Sequence, residues 1–285
     1  MFIPILINFI LFCYVPMGGL VIAFQNFRPA QGIFGSKFVG MKNFMDFFNS
    51  VYFTRVLRNT VILSLLSLLI CFPLPIVFAL LLNEIRNLKF KKAIQTISYM
   101  PYFISLVVLA GIIIDFTSSD GLIGGTLMEL FTGQKVNLLA DAKYFRAIMI
   151  VSELWQGLGY SSIIYVAALS GVDQELYEAA EIDGANRWQQ TFHITIPGIA
   201  PTIIIMLILK CGSLLAVGSE KIILLYNANT YETADVISTF VYRKGLQEFN
   251  YGYSTAVGMF NSVINFALIL LTNALAKRFS DTSLF

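Results

Sequence analysis

Side chains able to do chemistry are few in this chain, and most of them stand in apolar surroundings. Glu153, Gln156, Gly157 and Tyr160 recur at three- or four-residue spacing in one long apolar run, with Trp155 nearby, and this spacing puts them on one face of a helix. Ser254, Gly258, Asn261, Asn265 and Thr272 repeat the pattern in the last apolar run. Amides and hydroxyls beside flat aromatic rings are the groups that hold sugar hydroxyls, so the two stripes could line a path for a polyhydroxylated solute. Small and amide side chains also hold membrane helices together, and the sequence leaves both readings open. Lys210 lies 13 residues beyond Pro197 in an apolar run. There an unpaired ammonium costs about 2.5–3.5 kcal/mol on insertion scales. It requires a partner, and Glu153 is the candidate, as a structural ion pair in preference to a proton-coupling site.

No catalytic residue and no metal ligand is expected. The single histidine, His193, falls in a polar segment and reads as an interface residue. Cys13, Cys71 and Cys211 sit in apolar runs without metal-type spacing and read as small buried hydrophobes. No GxxxxGK[ST] run is present, so any energy from ATP has to enter through another chain.

The elements that position these residues follow from composition. Hydrophobic residues make up 57% of the 285-residue chain and charged residues 13%, and the mean hydropathy is +0.74. That is an all-α integral membrane protein. Six runs reach the length needed to cross the hydrocarbon core, near 3–24, 59–83, 97–116, 147–170, 198–218 and 254–276. Pro73 and Pro75 should kink the second. The first has no basic n-region and no small-residue cleavage site, and is expected to be retained. The chain reads as one domain, and its net charge of +2 gives no basic surface for nucleic acid.

Orientation is split. Arg86, Lys89, Lys91 and Lys92 argue for a cytoplasmic 84–96 loop, and Lys277 and Arg278 in the tail agree. Against this, the opposite side collects Arg28, Lys37, Lys42, Arg55 and Arg58. The first outer segment, Gln25–Arg58, with Phe44, Phe47 and Phe48, reads as an interfacial piece lying on the bilayer. The outer loops 117–146 and 219–253 read as polar and long enough to touch another protein.

One charged stretch is ordered by its own signals: Glu178–Pro197, EAAEIDGANRWQQTFHITIP. Asp173 is a plausible N-cap for a helix over Gln174–Ala185. Gly184 lets the chain turn, Arg187–Ile194 forms a second turn or two, and Pro197 opens the next element. The product is a helix–turn–helix knob.

Glu178-Ala179-Ala180, Gly184, and Ile194 through Ile196-Pro197 resemble the EAA loop of type I ABC importer permeases, with Ile196 where leucine is usual. YVPMGGLVIAFQNF, NTVILSLLSLLICFPLPIVFALLLNE and ELWQGLGYSSIIYVAALSGVDQELYEAAEIDGA extend the similarity to the carbohydrate branch, its maltose-type and LplB-like subunits. The extra N-terminal spans and large outer insertion of the maltose-type member have no counterpart here. The resemblance implies a permease subunit of the bacterial cytoplasmic membrane with both termini inside and no ATP or magnesium of its own. It implies a second homologous permease, two ATPases docked on the EAA loops and an extracytoplasmic binding protein that delivers an oligosaccharide. It also implies ATPase coupling through Glu178, Ala179, Ala180, Asp183, Gly184, Ile194 and Pro197. Glu178 would sit in the ATPase cleft, and the alanines would be small for close packing in a groove. The rival readings are an ion-coupled secondary transporter using Glu153, an importer of a non-sugar solute, and a membrane scaffold without a path.

Overall fold

A computed structural model describes residues 2–279, with side chains to Lys277, so the side chain of Arg278 in the basic tail lies outside the described residues. Helix α1 (Phe2–Phe24) leads into a two-residue antiparallel hairpin, β1 (Gln25–Asn26) and β2 (Lys37–Phe38). Helix α2 (Lys42–Phe48) follows, and then α3 (Phe53–Glu84). After α4 (Leu88–Tyr99) and α5 (Leu106–Thr117) comes the long α6 (Ala142–Leu169). The knob helix α7 (Gln174–Ile182) precedes α8 (Arg187–Gly212). The short α9 (Ser219–Leu225) and α10 (Ile237–Tyr242) lead to α11 (Tyr251–Phe279).

Among the described residues five helical stretches are long and apolar enough to cross a membrane: Phe2–Phe24, Phe53–Glu84, Leu106–Thr132, Arg187–Gly212 and Tyr251–Lys277. The sixth crossing helix is α6. Its 28 residues are ample at 1.5 Å rise per residue, and Arg146, Glu153 and Gln156 lower its hydropathy because they serve the bundle interior. In α3 the turn Ser67–Cys71 widens to a π-helix immediately before Pro73, whose ring removes a backbone donor.

Several positions differ from the sequence expectation. No helix runs unbroken through 97–116: α4 ends at Tyr99, Met100–Phe103 tightens to a 3-10 turn containing Pro101, and Ser105 caps a new helix through its hydroxyl. The run at 198–218 leaves the helix at Ser213. Of the aromatics in the first outer segment, Phe44 and Phe47 point inward, Phe47 fully buried against Phe53 and Phe260, while Phe48 stays exposed. Segment 219–253 is no surface loop either. Ile222, Ala234, Val236, Ile237 and Phe240 are fully buried, packing against Leu63, Leu109, Phe145 and Met149 in one cluster and against Phe47 and Val56 in another. Apolar side chains spaced along two short helices drive that burial. Cys13 is exposed on α1, Cys71 half-buried and Cys211 buried.

Candidate functional site

The knob is built from local signals. Asp173 accepts the backbone N–H of Glu175 and caps α7. At the other end Gly184 takes φ +78°, its N–H bonds Glu181 O at 3.1 Å, and Ala185 N–H bonds Ala180 O at 2.9 Å. This is a Schellman cap, and its left-handed position favours glycine. Asn186 and Gln189 then exchange side-chain to backbone bonds of 2.9 and 2.8 Å as a capping box that starts α8. Inside α8 the turn Thr191–Thr195 is π-helical, and the α-helix resumes at Ile196 with Pro197 in its first turn.

The knob is rooted in the bundle. Tyr177 Oη lies 2.9 Å from Thr195 Oγ1, and Tyr177 and Ile194 pack onto Ala79, Leu169, Val172 and Ile199. Arg187 Nη1 approaches Glu84 Oε2 at 3.5 Å, which sets the end of α3 beside the knob. Glu178, Ala179, Asp183, Gly184 and Pro197 are exposed, while Ala180 and Ile194 are half-buried. Three exposed residues went unnoticed in the sequence: Ile182 (87%), Trp188 (74%) and Phe192 (60%). Trp188 and Phe192 stack at 6.4 Å. Large apolar side chains exposed on a polar knob form an apolar patch of the kind that interaction surfaces carry, and their signal was the i, i+4 aromatic pair inside a charged stretch.

The second feature is a cavity of about 410 Å³ among α3, α6, α8 and the segment that follows α8. Glu153 and Gln156 line it with Ser67, Lys210 and Lys221. Lys210 Nζ lies 3.3 Å from Glu153 Oε1, and the Ser67 hydroxyl donates to the same oxygen at 2.7 Å. The expected partner of Lys210 is thus Glu153. Both side chains are about one-third exposed to the cavity.

Residues 213–218 have no regular helix, and all but Leu215 line this cavity. Irregular backbone inside a bundle needs other partners for its polar groups. Ser64 Oγ donates to Leu214 O at 2.6 Å, and Leu215 N–H donates to Asn265 Oδ1 at 3.0 Å. Asn265 therefore holds the broken segment in place.

The other stripe residues lie elsewhere. Trp155 lines a separate apolar cavity with Ile112, Phe116 and Val151. It stands two positions from Glu153, and i, i+2 residues on a helix do not share a face. Tyr160 shares the face of Glu153 but lies two turns along, where its ring stacks on Tyr102 at 3.7 Å. Ser254 is buried, and a Cβ on Gly245 would meet its hydroxyl at 2.8 Å. Asn261 Oδ1 is buried without a partner. Asn265→Ala, which strands the N–H of Leu215, is expected to lower complex stability by about 1–3 kcal/mol, whereas Asn261→Ala should leave it unchanged. Thermal unfolding of the purified complex distinguishes the two, and equal melting of both variants would remove the anchoring role of Asn265.

Among the described residues no group of three His, Cys, Asp or Glu is placed to hold a metal ion. A bundle of long apolar helices, a rooted knob with exposed apolar side chains and a polar cavity at a broken helix define a polytopic translocation subunit. The chain belongs to the family of binding-protein-dependent transport system inner membrane components, whose model matches residues 72–281. It is 44% identical over 285 residues to YteP, the polygalacturonan/rhamnogalacturonan transport system permease protein of Bacillus subtilis (strain 168), covering 100% of this chain and 89% of that one. It is 43% identical over 284 residues to Protein LplB of the same organism, covering 99% and 89%. Among solved structures it superposes with a TM-score of 0.92 and 42% identity on a chain of a bacterial alginate ABC transporter in complex with an alginate pentasaccharide-bound periplasmic protein, covering 100% of this chain and 95% of that one. The chain is a non-catalytic permease subunit of an ABC importer.

Proposed function

We propose that this permease carries an oligosaccharide, delivered by an extracytoplasmic binding protein, through the cavity at the end of α8. The observation that carries this reading is the broken helix. Irregular backbone at bundle depth lines a polar cavity of about 410 Å³, which is where substrate paths of membrane transporters lie. The names of the relatives, permeases for polygalacturonan and rhamnogalacturonan and a transporter for alginate, support a carbohydrate. Glu153 and Gln156 face the solute; Trp155, Tyr160 and Ser254 support the walls, and Asn261 and Asn265 belong to α11, whose Asn265 fixes the break.

A second, homologous permease completes the path. Two ATPases take the knobs, with Glu178, Ala179, Ala180, Asp183 and Gly184 at the contact and Ile194 and Pro197 as the root; ATP and magnesium bind there and not to this chain. ATPase closure moves the knob as a rigid lever, and the α3–α8 connection transmits the shift to the cavity. The knob and both termini face the cytoplasm of a bacterial cell. The Glu153–Lys210 pair favours this reading over ion coupling, because the carboxylate already has two partners.

Topology tests the arrangement. In a background lacking Cys13, Cys71 and Cys211, single cysteines at Gln134 and Glu181, both exposed, are expected to react with an impermeant thiol reagent from opposite sides. Gln134→Cys should label in intact cells and Glu181→Cys only after permeabilisation. The reverse order would remove ATPase docking from the knob.

A further inference from the structure

The end of the bundle remote from the knob holds a cationic cup. Helix α3 ends at Glu84 beside Arg187 of the knob, so its first residues, with Arg55, lie at the far end. Tyr52, Arg55, Tyr231, Arg243, Lys244 and Glu248 surround a cavity of about 280 Å³ there. Arg55 and Arg243 share one carboxylate oxygen, Asp235 Oδ2, at 3.0 and 2.7 Å. Asp235 is fully buried, and its other oxygen accepts from Thr239 at 3.0 Å. The guanidiniums lie over the rings of Tyr52 and Tyr231, each 5.1 Å from the centroid.

Charge in this cluster does not balance. Two guanidiniums face a single carboxylate and share one of its oxygens. The ammonium of Lys244 is offset by Glu248 at 2.6 Å, a side chain that is 44% exposed. Arg55 Nε and Arg243 Nη1 are buried with no acceptor at all. A half-buried cluster with one positive charge in excess and more donors than acceptors is completed by an anion with paired acceptor oxygens. The cavity lies near the lower end of small-ligand pockets and has room for one pyranose ring, with aromatic walls beside the cations.

We propose that this cup binds the carboxylate of an acidic sugar unit, a hexuronate, before it reaches the path. The proposal rests on the transport reading only for the origin of the ligand, and it is tested by binding and not by uptake. Radiolabelled galacturonate is titrated onto the assembled transporter in nanodiscs without its binding protein, with galactose as competitor. Saturable binding that galactose does not displace is expected. Lys244→Gln should weaken it about tenfold or more with unchanged thermal unfolding, and Arg55→Lys, which keeps a positive charge beside Asp235, should weaken it by a similar factor. Absence of binding, displacement by galactose, or affinity indifferent to Lys244→Gln and Arg55→Lys would overturn the assignment. So would a result in which free galacturonate fails to bind but ligand-free binding protein associates more weakly with both variants, since the cup would then take a protein carboxylate. Failure here with intact ATP-driven sugar uptake would leave the transport reading standing.

Discussion

Glu178→Lys is expected to abolish ATP-driven uptake while the subunit still inserts and folds. Glu178 is exposed on α7 and makes no ion pair among the described residues, so its replacement leaves the bundle intact. At a docked interface the reversal places a cation where an anion fitted, and wrong-sign juxtaposition costs several kcal/mol. At 1.4 kcal/mol per tenfold, docking weakens by about 100-fold or more. Gly184→Val should act through conformation: no atom lies within 4 Å of an added Cβ, yet φ is +78°. The left-handed backbone costs an L residue roughly 1–2 kcal/mol and a β-branched one more, whereas Gly184→Asn, which tolerates that region, should retain most uptake. Co-purification of the ATPase and uptake by the reconstituted complex read both effects. Wild-type uptake by Glu178→Lys with a fully assembled complex would separate the knob from coupling.

The second large effect is structural. Asp235→Ala leaves Arg55 and Arg243 without their shared carboxylate. Removing one partner of a buried pair costs about 3–5 kcal/mol, a large part of the 5–15 kcal/mol that holds a typical fold. Asn59, whose amide nitrogen donates to the backbone carbonyl of Asp235 at 3.1 Å and whose amide oxygen accepts from Arg146 at 2.9 Å, keeps both bonds in this variant, so the loss centres on the two arginines. The expected result is poor recovery and a sharply lower melting temperature in detergent, with Asp235→Asn in between because it keeps the acceptor oxygen. Melting at the wild-type temperature for Asp235→Ala would show that the arginines find other partners.

The knob was legible because its signals are local: Asp173, Gly184 and Pro197 each act within a turn of the chain. The pairing of Lys210 with Glu153 could be anticipated because an intramembrane charge demands a partner. The break at Pro101–Ser105 was hidden by apolar residues on both sides, from Ile97 to Ile114, that read as one continuous run. The burial of α9 and α10 was hidden for another reason. Their seven and six residues are too few for a period, and what orders them comes from remote chain, as in the bonds of Arg55 and Asn59 to Asp235. Asn265 could be seen as a polar side chain in an apolar helix, but its bond to Leu215 requires the irregular backbone that only the fold displays.

Accumulation of a labelled oligosaccharide by proteoliposomes holding the complete transporter tests the central claim most directly. Uptake is expected to require ATP and the binding protein, to survive collapse of proton and sodium gradients, and to vanish with Glu178→Lys. Accumulation driven by an ion gradient without ATP, and undiminished by Glu178→Lys, would contradict it.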